Sequence, residues 1–168
     1  MKKLIAAMAA AVLASAVSQP VAAADCKQAS AVYADRDGAY ELRFTPINSE
    51  AAVASNQFKL SVLKTDIVFD GYVMPSDDPE RAHGLVMFNC PGGDVTTADL
   101  NACTIWQGAV YGVNANGDID NLQAEAAAAA DKVLLPGLGP AIRASSVWGA
   151  GKATVAPWDL LDFKECAK

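Results

Sequence analysis

Asp35-Arg36-Asp37-Gly38-Ala39-Tyr40-Glu41-Leu42-Arg43-Phe44-Thr45 is the stretch that decides the fold. Tyr40, Leu42 and Phe44 alternate with Glu41 and Arg43. That period of two gives a strand with one face in a core and the other in water. The Asp37-Gly38 step ahead of it is a hairpin signal, because glycine accepts positive φ at no steric cost. Residues 30–34 and 39–45 are therefore expected to pair as antiparallel strands, the second ended by Pro46.

Strand signals continue downstream. Residues 46–57 read as a loop or short helix. Residues 58–74 are β-rich, with Leu63, Ile67, Phe69 and Val73 on one face and Lys64, Asp66 and Asp70 on the other. The Lys64-Thr65-Asp66 step divides that stretch into two strands. Residues 75–84 read as a charged loop, and the apolar run 85–88 as a central strand ended by Cys90-Pro91-Gly92-Gly93. Thr96 and Asp99 have the spacing of a capping box, which predicts a short helix ending near Cys103. Residues 104–113 read as one strand and residues 114–120 as a turn.

Helical signals gather toward the end. The Ala-rich run 124–130 reads as a partly helical connector, since alanine favours helix but offers no large face to dock. Residues 132–135 suggest a strand. Gly139-Pro140 opens a helix with Leu138, Ala141, Ile142, Ser145 and Trp148 on one side, and Pro157 opens a last short helix holding Trp158, Leu161 and Cys166. Strands first and helices after predict an α+β fold: an antiparallel β-sheet in the N-terminal and central part, with helices packed on one face.

The N-terminus has the layout of a cleavable secretory signal over residues 1–24. Lys2 and Lys3 precede an uncharged apolar run to Val17, and Ala22-Ala23-Ala24 supplies the small residues before a cleavage expected ahead of Asp25. The apolar core is about 14 residues, short of the about 20 a membrane-spanning helix needs, and no later run is longer. Asp25 directly before Cys26 is a poor context for lipidation. Residues 25–168 are then expected to form one secreted domain, with the periplasm as its destination. Without the two leader lysines, nineteen acidic side chains stand against eleven basic ones. That balance repels phosphate backbones and argues against nucleic-acid binding.

Cys26, Cys90, Cys103 and Cys166 all lie beyond the leader. Four cysteines in an exported chain predict two disulfides, with Cys90–Cys103 and Cys26–Cys166 the preferred pairing among the three available. No C-x-x-C occurs, and a single histidine gives little support to a zinc site or to redox chemistry. No metal and no cofactor is expected.

Candidate chemistry is sparse. His83 is the only histidine, and Asp77, Asp78 and Glu80 are the carboxylates near enough in sequence to orient it as a general base. No G-x-S-x-G accompanies it, and a solvated loop histidine is the plainer reading. Asp66, Asp70 and Asp94 are the carboxylates nominated for a glycosidase-type pair, against a plain acidic surface. Asn114-Ala-Asn-Gly-Asp-Ile-Asp lacks both anchor ligands of a calcium loop and reads as a hairpin turn. Cys90-Pro-Gly-Gly-Asp lacks the lysine of a phosphate loop. Trp106, Trp148 and Trp158 could stack sugars, but aromatics among apolar neighbours belong first to a core.

Without an assembled catalytic set, the expectation is a non-catalytic periplasmic protein that binds another envelope protein or a small polar ligand. Residues 76–84 are the expected partner surface. A carboxylate-dependent hydrolase of sugar or cell-wall substrate and a structural envelope component are the alternatives.

Overall fold

The first hairpin forms where the alternation predicts it. β1 (Ala31–Asp35) and β2 (Tyr40–Thr45) pair antiparallel, and Gly38 takes φ +63° at the turn. Asp35 Oδ1 fixes the turn by accepting the N–H groups of Ala39 and Tyr40 at 2.8 and 2.7 Å. Tyr40, Leu42 and Phe44 point inward and are buried, while Glu41 and Arg43 lie on the outer face. The computed structural model describes residues 22–48 and 53–167. The secretory leader expected over residues 1–24 falls outside these up to residue 21. Ala23 and Ala24, which lie within the expected leader, form a 3₁₀ turn with Asp25, and Ala23 is buried.

A meander follows, through β3 (Asn56–Val62), β4 (Val68–Asp77), β5 (Glu80–Met87) and β6 (Thr104–Ala109), each pairing antiparallel with the one before. Lys64-Thr65-Asp66 separates β3 from β4, as its composition suggested. The charged stretch 75–84 is not a loop. β4 and β5 continue through it to a tight hairpin, with Asp77 paired to Glu80. Charged side chains do not stop a strand whose outer face is wet.

β7 (Tyr111–Val113), β8 (Ile119–Asn121), β9 (Lys132–Leu134) and β10 (Leu160–Cys166) complete a ten-stranded sheet of order β6-β5-β4-β3-β2-β1-β10-β9-β7-β8. Residues 104–113 are thus two strands rather than one. β6 borders β5, while β7 borders β8 and β9, and only Val110 separates them. Two distant positions in the strand order are therefore consecutive in the chain, so the sheet curls round on itself into a barrel-like form. Asn121 helps to close the seam: its Oδ1 accepts the Ala82 N–H, and its Nδ2 donates to the Glu80 carbonyl.

Two expected helical segments are extended instead. Residues 160–166 form β10, which fills the space between β1 and β9. Leu161 is fully buried and Phe163 partly so, while Leu160, Asp162 and Lys164 face out. That alternation has the period of a strand, and the chance to pair on both edges overrides the helix-start signal of Pro157. The Ala-rich run turns at residues 124–127 and pairs with residues 26–30: Gln28 N–H donates to Ala127 O at 2.9 Å, Ala29 N–H to Glu125 O at 3.0 Å, and Ala129 N–H to Cys26 O at 2.8 Å. Small side chains let two backbones approach closely, and these bonds override alanine's helix preference.

The fold is accordingly a mostly antiparallel sheet with two short helices, α1 (Thr97–Cys103) and α2 (Leu138–Ala144). The α+β expectation holds only at that coarse level. Thr96 and Asp99 form the reciprocal capping box at the start of α1. α2 buries Leu138 and Ile142, and Trp106 Nε1 reaches the Pro136 carbonyl just ahead of it at 3.0 Å. The inside of the barrel is packed by Tyr33, Leu42, Phe44, Phe58, Leu60 and Phe69. Each such side chain contributes about 1.5–3 kcal/mol over its exposed state. Gly71 stands opposite Phe58, whose ring covers it.

Cys26 is bonded to Cys166 at one end of the barrel and Cys90 to Cys103 at the other. The first ties the start of the described domain to the end of β10. The second closes the loop between β5 and β6. Two such bonds are the chemistry of an oxidising compartment. Among the described residues no helix is long and apolar enough to cross a membrane.

Candidate functional site

With the interior filled, the space for a ligand lies at the barrel's end. A cleft of about 900 Å3 opens where three connections meet. Residues 37–39 of the β1–β2 turn and 63–67 of the β3–β4 turn form two walls, residues from the 146–155 stretch after α2 form the third, and Phe88 contributes from the end of β5. The mouths of β-barrels are common ligand positions, and this volume lies in the usual range for small-molecule sites.

Each wall is held by local chemistry. Leu63 N–H donates to Ala39 O at 2.8 Å, which locks the two turns together. In the β3–β4 turn the Thr65 hydroxyl donates to Val62 O at 2.8 Å, and its Oγ1 accepts the Ile67 N–H at 3.1 Å. Lys64 sits at the tip with φ +66°, a left-handed conformation that glycine or asparagine ordinarily supplies. The third wall turns on Gly149 and Gly151, both at positive φ, and is fastened by Tyr40, whose hydroxyl donates to Val155 O at 2.8 Å. Burial, with Asp35 nearby, pushes the Tyr40 hydroxyl up to about 12, so it keeps its proton and remains a donor. A second clamp joins this segment to the β1–β2 turn: Trp158 Nε1 donates to Asp37 Oδ2 at 2.7 Å, and the Arg36 guanidinium lies 3.3 Å over the indole ring.

The lining is mixed. Ile67, Phe88 and Val147 supply apolar surface, Thr65, Ser146 and Thr154 supply hydroxyls, Lys64 and Lys152 positive charge, and Asp37 and Asp66 negative charge. Such a surface can hydrogen-bond a polar molecule and balance a charge of either sign on it.

The residues singled out in the sequence fall mostly elsewhere. His83 is in β5, on the outer face between the inward Ala82 and Gly84, and pairs across the strands with Met74 and Ala109. Among the described residues its side chain has no hydrogen bond to Asp77, Asp78 or Glu80, which sit at the β4–β5 turn. Of the nominated carboxylates only Asp66 lines the cleft. Asp70 is on the outer face of β4, paired with Lys59, and Asp94 is exposed in the loop closed by Cys90–Cys103. The carboxylate that does share the cleft with Asp66 is Asp37, hidden in the sequence because it also serves as a turn residue. The three tryptophans share no platform: Trp106 is buried, Trp148 half-buried and Trp158 exposed. Asn114 closes the β7–β8 turn by accepting the N–H groups of Asn116 and Asp118 on its Oδ1.

That Lys64 and residues 146–155 wall a cleft was not visible in the sequence. A lysine gives no hint of its backbone conformation, and the wall reads as featureless small residues. Comparison with known proteins finds no matching family model, no matching curated protein and no matching solved structure.

Proposed function

We propose that this is a periplasmic protein that works by binding rather than catalysis, and that a small polar ligand occupies the cleft at the barrel end. One observation carries the reading: three separate connections, clamped by Tyr40 and by the Asp37–Trp158 bond, wall a half-open cleft of ligand size with a mixed polar and apolar lining. Lys64 adds to it. A left-handed non-glycine residue costs about 1–2 kcal/mol, and such strain collects at binding sites. The paired disulfides support an oxidising compartment, and the periplasm fits them together with the leader-like N-terminus. An envelope protein as partner draws less support, because residues 76–84, its expected contact surface, are a regular hairpin rather than an adaptable loop.

A thermal-shift screen of the exported protein against amino acids, sugars and small carboxylates tests the proposal. Thr154 is exposed at the cleft and its side chain holds no bond among the described residues, so Thr154→Trp fills the space without disturbing the core. A ligand at a hundredfold its Kd adds about 2.7 kcal/mol to stability. The expected result is a compound that raises the Tm of the native protein and leaves that of Thr154→Trp unchanged. Equal shifts in both proteins place the ligand elsewhere and remove the proposal.

A further inference from the structure

Lys152 is held differently from the lysines of the sheet. On the outer face Lys59, Lys132 and Lys164 each meet a carboxylate, from Asp70, Asp162 and Glu41 respectively. Lys152 lines the barrel-end cleft, and its Nζ donates to the carbonyl of Ser146, which lines the same cleft, at 2.7 Å. That bond sets the ammonium against the cleft wall. An uncharged oxygen takes one of its three hydrogens and leaves its charge unanswered. Among the described residues Lys152 forms no ion pair.

The other charges around the cleft offset one another. Asp37 has the Arg36 guanidinium beside it, Nε at 4.0 Å from Oδ1, and accepts from Trp158 Nε1 on Oδ2 at 2.7 Å. Asp66 shares the β3–β4 turn with Lys64, two positions away. Lys152, on another wall, is the charge left over, in a chain whose formal net charge is −6. One surplus positive charge fixed on a cleft wall matches a monoanion, whereas a doubly charged phosphate would leave one negative charge unbalanced.

Much of the remaining lining is apolar. Leu63 and Val155 leave 38% and 47% of their surface open, beside the buried Ile67 and Val147 and the partly buried Phe88. Covering such side chains favours an occupant with an apolar body; a sugar would set hydroxyls against them. We infer that the cleft takes a small monocarboxylate with an apolar body, its carboxylate on Lys152 and its body on Leu63, Ile67, Phe88, Val147 and Val155. The inference rests on the binding role proposed for this cleft and narrows it to one ligand class.

The probes are hexanoate and its isostere hexanamide, which has the same chain and no charge. Titrations of the exported protein, disulfides intact, are followed by amide NMR. Hexanoate should bind about fivefold tighter than hexanamide, the worth of a partly exposed ion pair. Lys152 is exposed, and Lys152→Gln keeps an N–H donor for the Ser146 carbonyl while removing the charge. That variant should bind the two probes equally, with its affinity for hexanamide unchanged. Thr154→Trp should bind neither. Equal affinity of the native protein for the two probes overturns the inference, and so does a preference for hexanoate that survives in Lys152→Gln. A loss of both probes alike in Lys152→Gln makes the lysine structural and overturns it too. If neither probe binds, but another compound raises the Tm of the native protein and not that of Thr154→Trp, the cleft is a binding site and the ligand class is wrong. If no compound does so, the reading of the cleft falls with the inference.

Discussion

Replacing Lys64 by glycine should make the protein more stable and a poorer binder. Lys64 holds φ +66°, where its Cβ crowds the carbonyl and costs about 1–2 kcal/mol. Glycine removes that cost but gives the unfolded chain freedom worth about 0.4–1 kcal/mol. The side chain is exposed and holds no ion pair or hydrogen bond among the described residues, so little else is lost. The difference centres on a net gain of about 0.8 kcal/mol, with extremes of about 0 and about 1.6, so that the midpoint corresponds to about 2–3 °C in Tm for a domain of this size. Thermal unfolding followed by circular dichroism reads it. Lys64→Ala, which loses the ammonium but keeps a Cβ, should show no such gain. A Lys64→Gly protein no more stable than Lys64→Ala refutes the strain argument. If the glycine variant gains stability but binds the cleft ligand unchanged, Lys64 is strained without serving the site.

Gly71→Ala sets a Cβ inside contact distance of the buried Phe58 ring, which packs 5.4 Å from Phe44 and must shift to make room; urea melts should show a loss of about 1–3 kcal/mol. Removing the cysteine pair separated by 13 residues, Cys90 and Cys103, should cost about 3 kcal/mol, and removing the pair separated by 140, Cys26 and Cys166, about 5. Glu41 is held below its ordinary value of 4.5 by the hydrogen bond from Lys164 and by Arg43. A carboxylate with a lowered folded value contributes stability that is whole above 4.5 and lost as pH falls through that folded value, so Glu41→Gln should flatten the acid limb of stability against pH. An acid limb identical in the two proteins contradicts that assignment.

Much of the first half of the fold, apart from the charged hairpin of residues 75–84 that reads as a loop, was legible because its signals are local. Tyr40, Leu42 and Phe44 alternate cleanly, Asp35 and Gly38 suit their turn, and Thr96 and Asp99 cap a helix using only their own backbone. The second half was not, because its structure is decided by partners far along the chain. Residues 160–166 carry a proline ahead and charges throughout, and their short alternation settles as a strand through pairing with the edges of β1 and β9. The alanines of 124–130 answer to the backbone of residues 26–30, about a hundred positions away. The candidate site suffers most from this, since its walls come from three connections and its most informative residue is marked by a backbone angle. Asp66 was visible as an acidic residue; its neighbours in space were not.

The central claim, that the barrel-end cleft is where this protein meets its ligand, is tested most directly by amide NMR of the exported protein titrated with a library of small polar metabolites. The account predicts that at least one compound shifts Gly38, Ala39, Thr65, Ile67, Val147 and Thr154 together and leaves the outer face of β4 and β5 still. A library that moves none of these amides, or a binder whose shifts gather around His83 and the β4–β5 hairpin, contradicts it.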